Sequence, residues 1–382
     1  MAGDESGSES DKISMNDPDT GIRFSYFIQP IAYMGINDEY DDFHNTFNIK
    51  RARIDTRINI DKYICGRIQG DLTRSPALLD AYIDLKINDN ISFRMGKYKS
   101  PLSLERSQSV PSLLFNDFAY TASVAPNRDI GVSFHGNFLN RKLDLYLACM
   151  NGSGSGGSSI GDPKDLIIHL GLSPFDTERT NAANKLLIAA GAMIGKRSEE
   201  NMSGIKTPAG TDIFHYRTSV TGQGKICRIS PQIRLITDGV FLLGEYIYSD
   251  YGIADSAGVE FRVQDKVWTL SGGYLICGGN RTEKGVELDE DAVLSRGGKG
   301  ALEFVARIHG YHADQRVFER FVSSAACASQ VVSLETGLEW YYADNSCVRL
   351  IYTRSIFEKG SVEGDRPTEN TIQLSLNLNG KL

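Results

Sequence analysis

The chain has 382 residues and a formal net charge of −7, which excludes a general nucleic-acid binder by bulk electrostatics, so any basic feature must act locally. Hydrophobic residues make up 41% of the chain, yet no run of eighteen apolar residues occurs, which excludes a transmembrane helix but not a membrane barrel. Six cysteines (Cys65, Cys149, Cys227, Cys277, Cys327, Cys347) stand far apart without a C-x-x-C pair, so they imply no zinc or thioredoxin-type motif and read as small apolar residues.

Residues 1–20, MAGDESGSESDKISMNDPDT, are acidic and rich in Ser and Gly, and read as a disordered lead-in. They contain no charged-then-apolar signal pattern; given the membrane destination argued below, the expectation is that a signal peptide has been removed. From residue 21 to 382 the chain reads as one transmembrane β-barrel. The run FNIKRARIDTRINID at 47–61 shows why. Ala52, Ile54, Ile58 and Ile60 fall on one parity, and Arg51, Arg53, Asp55, Arg57, Asn59 and Asp61 on the other. Successive side chains of a strand point to opposite faces, so one face is apolar and the other charged. A helix would smear both sets around its circumference.

The same alternation recurs down the chain. Ile64 and Ile68 oppose Arg67, Gln69 and Asp71; Ala81, Ile83, Leu85 and Ile87 oppose Asp80, Asp84 and Lys86; Phe93 and Met95 oppose Ser92 and Arg94. In the C-terminal half Leu302, Phe304 and Ile308 oppose Glu303, Arg307 and His309, and Ile372, Leu374, Leu376 and Leu378 oppose Gln373, Ser375, Asn377 and Asn379. Sixteen strands are predicted: 21–35, 44–58, 62–73, 78–88, 90–99, 128–138, 141–150, 165–175, 184–197, part of 213–236, 240–251, 263–278, 300–312, 331–343, 346–357 and 370–382. Short turns such as Asn88-Asp89-Asn90 and Asp344-Asn345-Ser346 alternate with long loops, among them 100–127 and the flexible NGSGSGGSS at 151–159. Short turns at one end and long loops at the other, with an even strand count, are the pattern of an all-β antiparallel outer-membrane barrel. One segment, 279–299, is long but falls on the turn side.

Several motifs together carry a family resemblance: FNIKRARI (47–54), LLDAYIDLK (78–86), FRMGKYKSPLSLE (93–105), APNRDIGVSFHGN (125–137), WTLSGGYLICG (268–278), GALEFVARI (300–308) and TGLEWYYADNSCVRLIYTRS (336–355). Taken in order, they resemble the phosphate-selective porin O and P family of bacterial outer-membrane channels. The resemblance implies a homotrimer of sixteen-stranded barrels, each with its own pore, and a constriction made by the third long loop, 100–127, folded inward. It also implies a long turn entering the pore, here 279–299. It carries over Arg51, Arg53 and Arg57, with Arg94 and Lys97, as part of a basic pore lining. The inward loop offers Lys99, Arg106 and Arg128 near its ends, against Glu105, Asp117 and Asp129. The chain ends NLNGKL without the terminal aromatic usual in such barrels.

The resulting expectation is a passive outer-membrane pore for small anionic solutes, phosphate among them, in contact with outer-membrane lipid and with no nucleic-acid partner. Fixed charges around a wet constriction attract ions of one sign. Arg51, Arg53, Arg57, Arg67 and Arg94 are expected to form a basic wall, joined by Lys97, by Arg106 on the loop and by Arg228 and Arg234 from across the barrel. Asp55, Asp71, Asp84, Asp144, Glu245, Glu303, Glu335 and Glu339 share the lumen parity. No cofactor, metal site or catalytic constellation is expected: the acidic runs 38–42 and 287–291 lack a calcium-loop pattern, the histidines lack metal-ligand spacing, and no G-x-S-x-G elbow occurs. Tyr26, Phe27, Tyr246, Tyr248, Trp268, Tyr274, Trp340, Tyr341, Tyr342 and Tyr352 are expected in interfacial girdles, with no stacking ladder of aromatics in the lumen. The alternative is a surface adhesin or structural barrel whose long loops bind a partner.

Overall fold

The computed structural model describes residues 20–36, 45–152, 164–175, 185–202, 204–237, 239–318, 320–322, 327–360 and 367–381. The lead-in at 1–19, the acidic run 38–42 and most of the Gly/Ser stretch at 151–159 lie outside them. In chain order the strands are β1 (Gly21–Gly35), β2 (Thr46–Asn59), β3 (Ile64–Asp71), β4 (Leu78–Asn88), β5 (Ile91–Lys99), β6 (Arg128–Phe138), β7 (Leu143–Met150), β8 (Asp165–Leu172), β9 (Lys185–Asn201), β10 (Ile205–Lys206), β11 (Asp212–Phe214), β12 (Thr221–Thr237), β13 (Val240–Ala254), β14 (Glu260–Cys277), β15 (Gly279–Thr282), β16 (Gly285–Leu288), β17 (Ala301–His312), β18 (Ala328–Ala343), β19 (Ser346–Gly360) and β20 (Glu369–Lys381).

Sixteen of these close one antiparallel barrel; β10–β11 and β15–β16 are separate two-stranded hairpins. The barrel closes where β20 pairs with β1, Ile28 opposite Leu378 and Ala32 opposite Leu374. Closure removes the free edges that an open sheet would present to lipid. The predicted strands match the observed ones within a few residues, except around 198–236. There β9 runs on to Asn201, β12 starts only at Thr221, and the hairpin β10–β11 occupies the interval.

Alternation sets the two faces. On β2–β5, Ile54, Ile68, Ile83 and Met95 are exposed on the outside, whereas Arg53, Gln69 and Asp80 are buried on the inside. A lipid bilayer rewards the first set and cannot solvate the second. The wall is uneven in height: β3, β5, β7 and β8 have 8 or 9 residues, β9 and β12–β14 have 15 to 18. A tilted strand of about 9–11 residues suffices to cross the apolar layer, so the taller half extends beyond it.

One irregularity redirects a charge. Gln29 pairs with Arg51, but Pro30 pairs with Ile49, so Lys50 is an extra residue in a β-bulge. Pro30 has no N–H to offer the ladder, which favours a bulge at this place. Strict alternation would put Lys50 on the lipid face; instead its Nζ meets Asp117 at 2.6 Å and the Tyr33 hydroxyl at 2.6 Å. At the opposite end the two-residue turn between β18 and β19 uses Asn345 at φ 54°, a left-handed conformation that Asn tolerates better than most side chains.

Candidate functional site

Residues 100–127 leave the sheet at Ser100, which donates its N–H to the Asn127 carbonyl, and lie across the interior. Their hydrogen bonds trace the course. The Leu102 carbonyl accepts from Gln232 Nε2 at 2.6 Å and passes so close to β9 that a Cβ on Gly191 would sit 2.3 Å from it. The short helix α1 (Leu104–Ser107) is capped by Ser103, whose hydroxyl accepts from the Arg106 N–H at 3.0 Å, and the Glu105 N–H reaches Glu245 on β13 at 2.8 Å.

The run Ser112-Leu113-Leu114-Phe115-Asn116-Asp117 is then held by four arginines, each donating to a backbone carbonyl. Arg281 takes Ser112 (3.0 Å), Arg349 takes Leu113 (2.5 Å), Arg51 takes Asn116 (2.7 Å) and Arg307 takes Asp117 (3.0 Å). The Asn116 side chain is bonded to Gln29, Gln373 and Ser375. In helix α2 (Tyr120–Val124) the Tyr120 N–H donates to His309, and its hydroxyl bonds Ser333 on β18. These bonds go to β1, β2, β12, β13, β15 and β17–β20. Among the described residues none reaches the inner faces of β3, β4, β7 or β8.

Two hairpins fill the same half. From the turn side, Arg281 on β15 pairs with Glu303 at 3.0 Å, and Val286 on β16 is buried against Leu275, Ala301, Tyr341 and Cys347. From the loop side, Ile213 and Phe214 on β11 pack with Tyr311, Val317, Phe321 and Val322, while Gln373 donates to the Pro208 carbonyl at 3.4 Å. Leu102 and Tyr120 join Ala148 and Met150 on β7 and Ile167 on β8 in one buried apolar cluster, so the space left for water runs along the inner face of β2–β6 and the turn-side part of β7.

That face carries paired charges. Arg53 binds Asp71 (2.9 Å), Arg128 binds Asp80 (2.7 Å), Arg67 makes two 2.8 Å bonds to Asp55, and Arg94 makes two to Asp84 (2.6 and 2.8 Å). Arg57 lies only 3.9 Å from Asp55 and keeps 61% of its side chain exposed. In register, Arg23, Arg57 and Arg67 stand directly opposite one another on β1, β2 and β3. Like charges so placed repel; Asp55, bonded to Arg67 and 3.9 Å from Arg57, relieves part of that repulsion, and water reaches the exposed Arg57.

The loop edge facing this wall carries two cations without an ion-pair partner among the described residues. Lys99 Nζ donates to the Gln108 carbonyl at 2.5 Å, and Arg106 donates to the Ala122 carbonyl. Phe118 lies beneath both, at 5.6 and 5.2 Å from ring centre to charge. A carbonyl orients a cation without cancelling its charge. Burial, with Arg128 and Arg74 nearby, brings the Arg106 guanidinium down to about 10, which leaves it charged at neutral pH.

The predicted residues thus separate. Arg53, Arg57, Arg67 and Arg94 line the β2–β5 wall. Arg51 faces inward but is buried, bonded to Gln29 and Asn116, and holds the loop. Arg228 bonds Ser249 at 3.1 Å, and Arg234 reaches Glu283 at 2.5 Å. Lys97 is a correction: it pairs with Ala81 and Ile130 on the parity of exposed Phe93 and Met95, so it faces outward. Phe27 and Tyr341 are also corrected. Both are buried inside, Phe27 against Val110 and Leu113 and Tyr341 on Glu303 and Glu339. Tyr82, Tyr98, His135, Tyr146 and His169 share the inner face of β4–β8, with one stacked pair, His135–Tyr146, among edge-on contacts. Lys50, Arg74, Lys99 and Arg128 were absent from the expected lining set.

The model of the family described as phosphate-selective porin O and P matches residues 29–201, the part of the chain that holds β2–β8 and the inward segment. No curated protein sequence matches the chain. Among solved structures, the outer-membrane channel DcaP of Acinetobacter baumannii is similar at TM-score 0.58 and 11% identity, covering 94% of this chain and 97% of that one. The anion-selective porin from Comamonas acidovorans gives 0.58 at 7% identity, covering 94% and 100%. The trimer form of OmpT, an outer-membrane protein of Vibrio cholerae, gives 0.55 at 9%, covering 94% and 99%. At these identities the structures speak for the fold.

Proposed function

We infer that the chain is an outer-membrane porin, a water-filled passive diffusion channel for small solutes, and a channel rather than a catalyst. The family match, the closed barrel and its apolar outer face support this reading. The path runs beside β2–β6 and the turn-side part of β7, since the rest of the lumen is filled by the inward segment and the two hairpins.

Within that reading the channel prefers anions. The observation that carries this is the pair of cations on the loop edge, Lys99 and Arg106, whose charge no carboxylate cancels among the described residues. They stand with Arg53 and Arg128, which Asp71 and Asp80 pair, while Glu105 and Glu245 lie near Arg106 without bonding it. A fixed positive field in a narrow low-dielectric passage concentrates anions and repels cations. The passing solutes are small anions, phosphate among them. A homotrimer is the assembly that fits, a reading supported by the trimer form of a protein with this fold.

Reversal potentials of the protein in planar bilayers under a KCl gradient test the preference. The expected result is a chloride-preferring potential, with the chloride-to-potassium permeability ratio falling about twofold or more in Lys99→Gln/Arg106→Gln. A potassium-preferring channel, or a double variant indistinguishable from the parent, overturns it.

A further inference from the structure

Between the loop edge and the arginines Arg57 and Arg67, rings gather on the inner face of β4–β8. The Arg94 guanidinium lies 3.9 Å from the centre of the Tyr82 ring and 5.4 Å from that of Tyr98. Its Nε and Nη2 are bonded to Asp84, while Nη1 has no hydrogen-bond partner among the described residues. On the next two strands the rings of His135 and Tyr146 are stacked at 4.0 Å with 9° between their planes, and His169 meets Tyr146 edge-on at 6.2 Å. Asp144 fixes the far side of His135 through a 2.6 Å contact.

Small residues lie between the two groups, and Ser133 and Ala148 among them are buried by their neighbours. Tyr82 stands opposite Gly96, which stands opposite Gly131; Arg94 stands opposite Ser133, which stands opposite Ala148. The glycines are required by packing. A Cβ on Gly96 would lie 2.2 Å from the Ala81 carbonyl oxygen, and one on Gly131 would lie 2.3 Å from that of Cys149. Tyr82, Arg94, His135 and Tyr146 are half-buried, so each keeps surface toward the passage.

We propose that this shelf binds planar aromatic carboxylates as they cross the pore, with the carboxylate on Arg94 Nη1 and the ring against the His135–Tyr146 stack. The proposal rests on the channel reading above and names the class of organic solute that the channel favours. A guanidinium gives a carboxylate charge-assisted hydrogen bonds, and a flat ring gains from a neighbouring stack what a puckered ring of equal size does not. An inorganic anion uses the cations and gains nothing from the rings. The shelf therefore discriminates among anions by shape.

Benzoate and cyclohexanecarboxylate carry the same charge on rings of equal carbon number, one flat and one puckered. Added to the reconstituted full chain, benzoate should block chloride current at a concentration about three- to ten-fold lower than cyclohexanecarboxylate. Tyr146→Leu should erase that difference, and Tyr146→Phe should keep it. If the leucine variant forms no channel, His135→Leu reads the same stack and should also erase it. Equal block by the two acids in the parent protein, or a benzoate preference that survives loss of the stack, overturns the proposal. The sign of the KCl reversal potential reports separately on anion preference. A potassium-preferring channel still blocked selectively by benzoate would overturn that reading and keep the shelf.

Discussion

On the inner face of β17–β19, Arg307 and Glu335 keep 2% of their side chains exposed, and Arg349 and Glu339 no more than 3%. On β2–β5 the Arg94–Asp84 and Arg67–Asp55 pairs are open, Arg94 keeping 36%, Asp84 20% and Arg67 21%, whereas Arg53 and Asp71 keep only 7% and 0%. Both walls oppose arginine to carboxylate across neighbouring strands. The inward segment makes the difference. Over β17–β19 it excludes water, and each arginine there spends a further donor on a loop carbonyl. Over β3–β5 it stands off, and Arg67 and Arg94 remain in contact with the passage. The same residue types therefore serve as clamps on one side and as a field on the other.

The largest effect follows from burial. Arg307→Gln removes the arginine that Glu335 and Glu105 share and a donor to the Asp117 carbonyl, leaving Glu335 in a dry site with His309 as its remaining contact. Losing one member of a buried pair costs about 3–5 kcal/mol, whereas an open pair such as Arg94–Asp84 is worth about 0–1 kcal/mol. Heat-modifiable gel migration of the two variants in detergent should show Arg307→Gln unfolding well below the parent and Arg94→Gln close to it. Equal losses would mean that the two walls do not differ in solvation.

A smaller effect is expected at the turn-side hairpin. Arg281 ties β15 to Glu303 and to the Ser112 carbonyl, so it joins a segment entering from one mouth to the loop that defines the passage. Arg281→Gln should loosen the 112–117 run and raise single-channel conductance and current noise, by on the order of tens of per cent. Unchanged conductance would show that the other three arginines hold the run without it.

Much of this architecture was readable from alternation alone. A strand with one apolar and one charged parity has a single orientation in a membrane barrel, and Arg53, Arg67 and Arg94 needed nothing more to be placed inside. The bulge at Lys50 was not readable, because parity is counted from neighbours and one extra residue resets the count. Phe27 and Tyr341 escaped for another reason. They are apolar or amphipathic residues on the inner parity, which suit the lumen only once a loop and a hairpin have filled it. The clamp on 112–117 was out of reach of pattern reading, since Arg281, Arg307 and Arg349 meet backbone carbonyls from a segment more than 150 positions away.

Lys97 and Lys99 give the finest test, because they sit two residues apart on the same parity. Lys97 lies within the pairing of β5 with β4 and β6, and the pleat turns it outward with Phe93 and Met95. Lys99 is the last residue of the strand, where the chain departs at Ser100 and the pleat no longer fixes direction, and its amine bends in to the Gln108 carbonyl. A long amine near the rim of the apolar layer can reach water from the outer face at small cost. Lys97→Gln should therefore leave the KCl reversal potential where it was, while Lys99→Gln alone moves it toward zero. A shift of equal size in both would place Lys97 in the passage and break the assignment of the two faces at this end of β5.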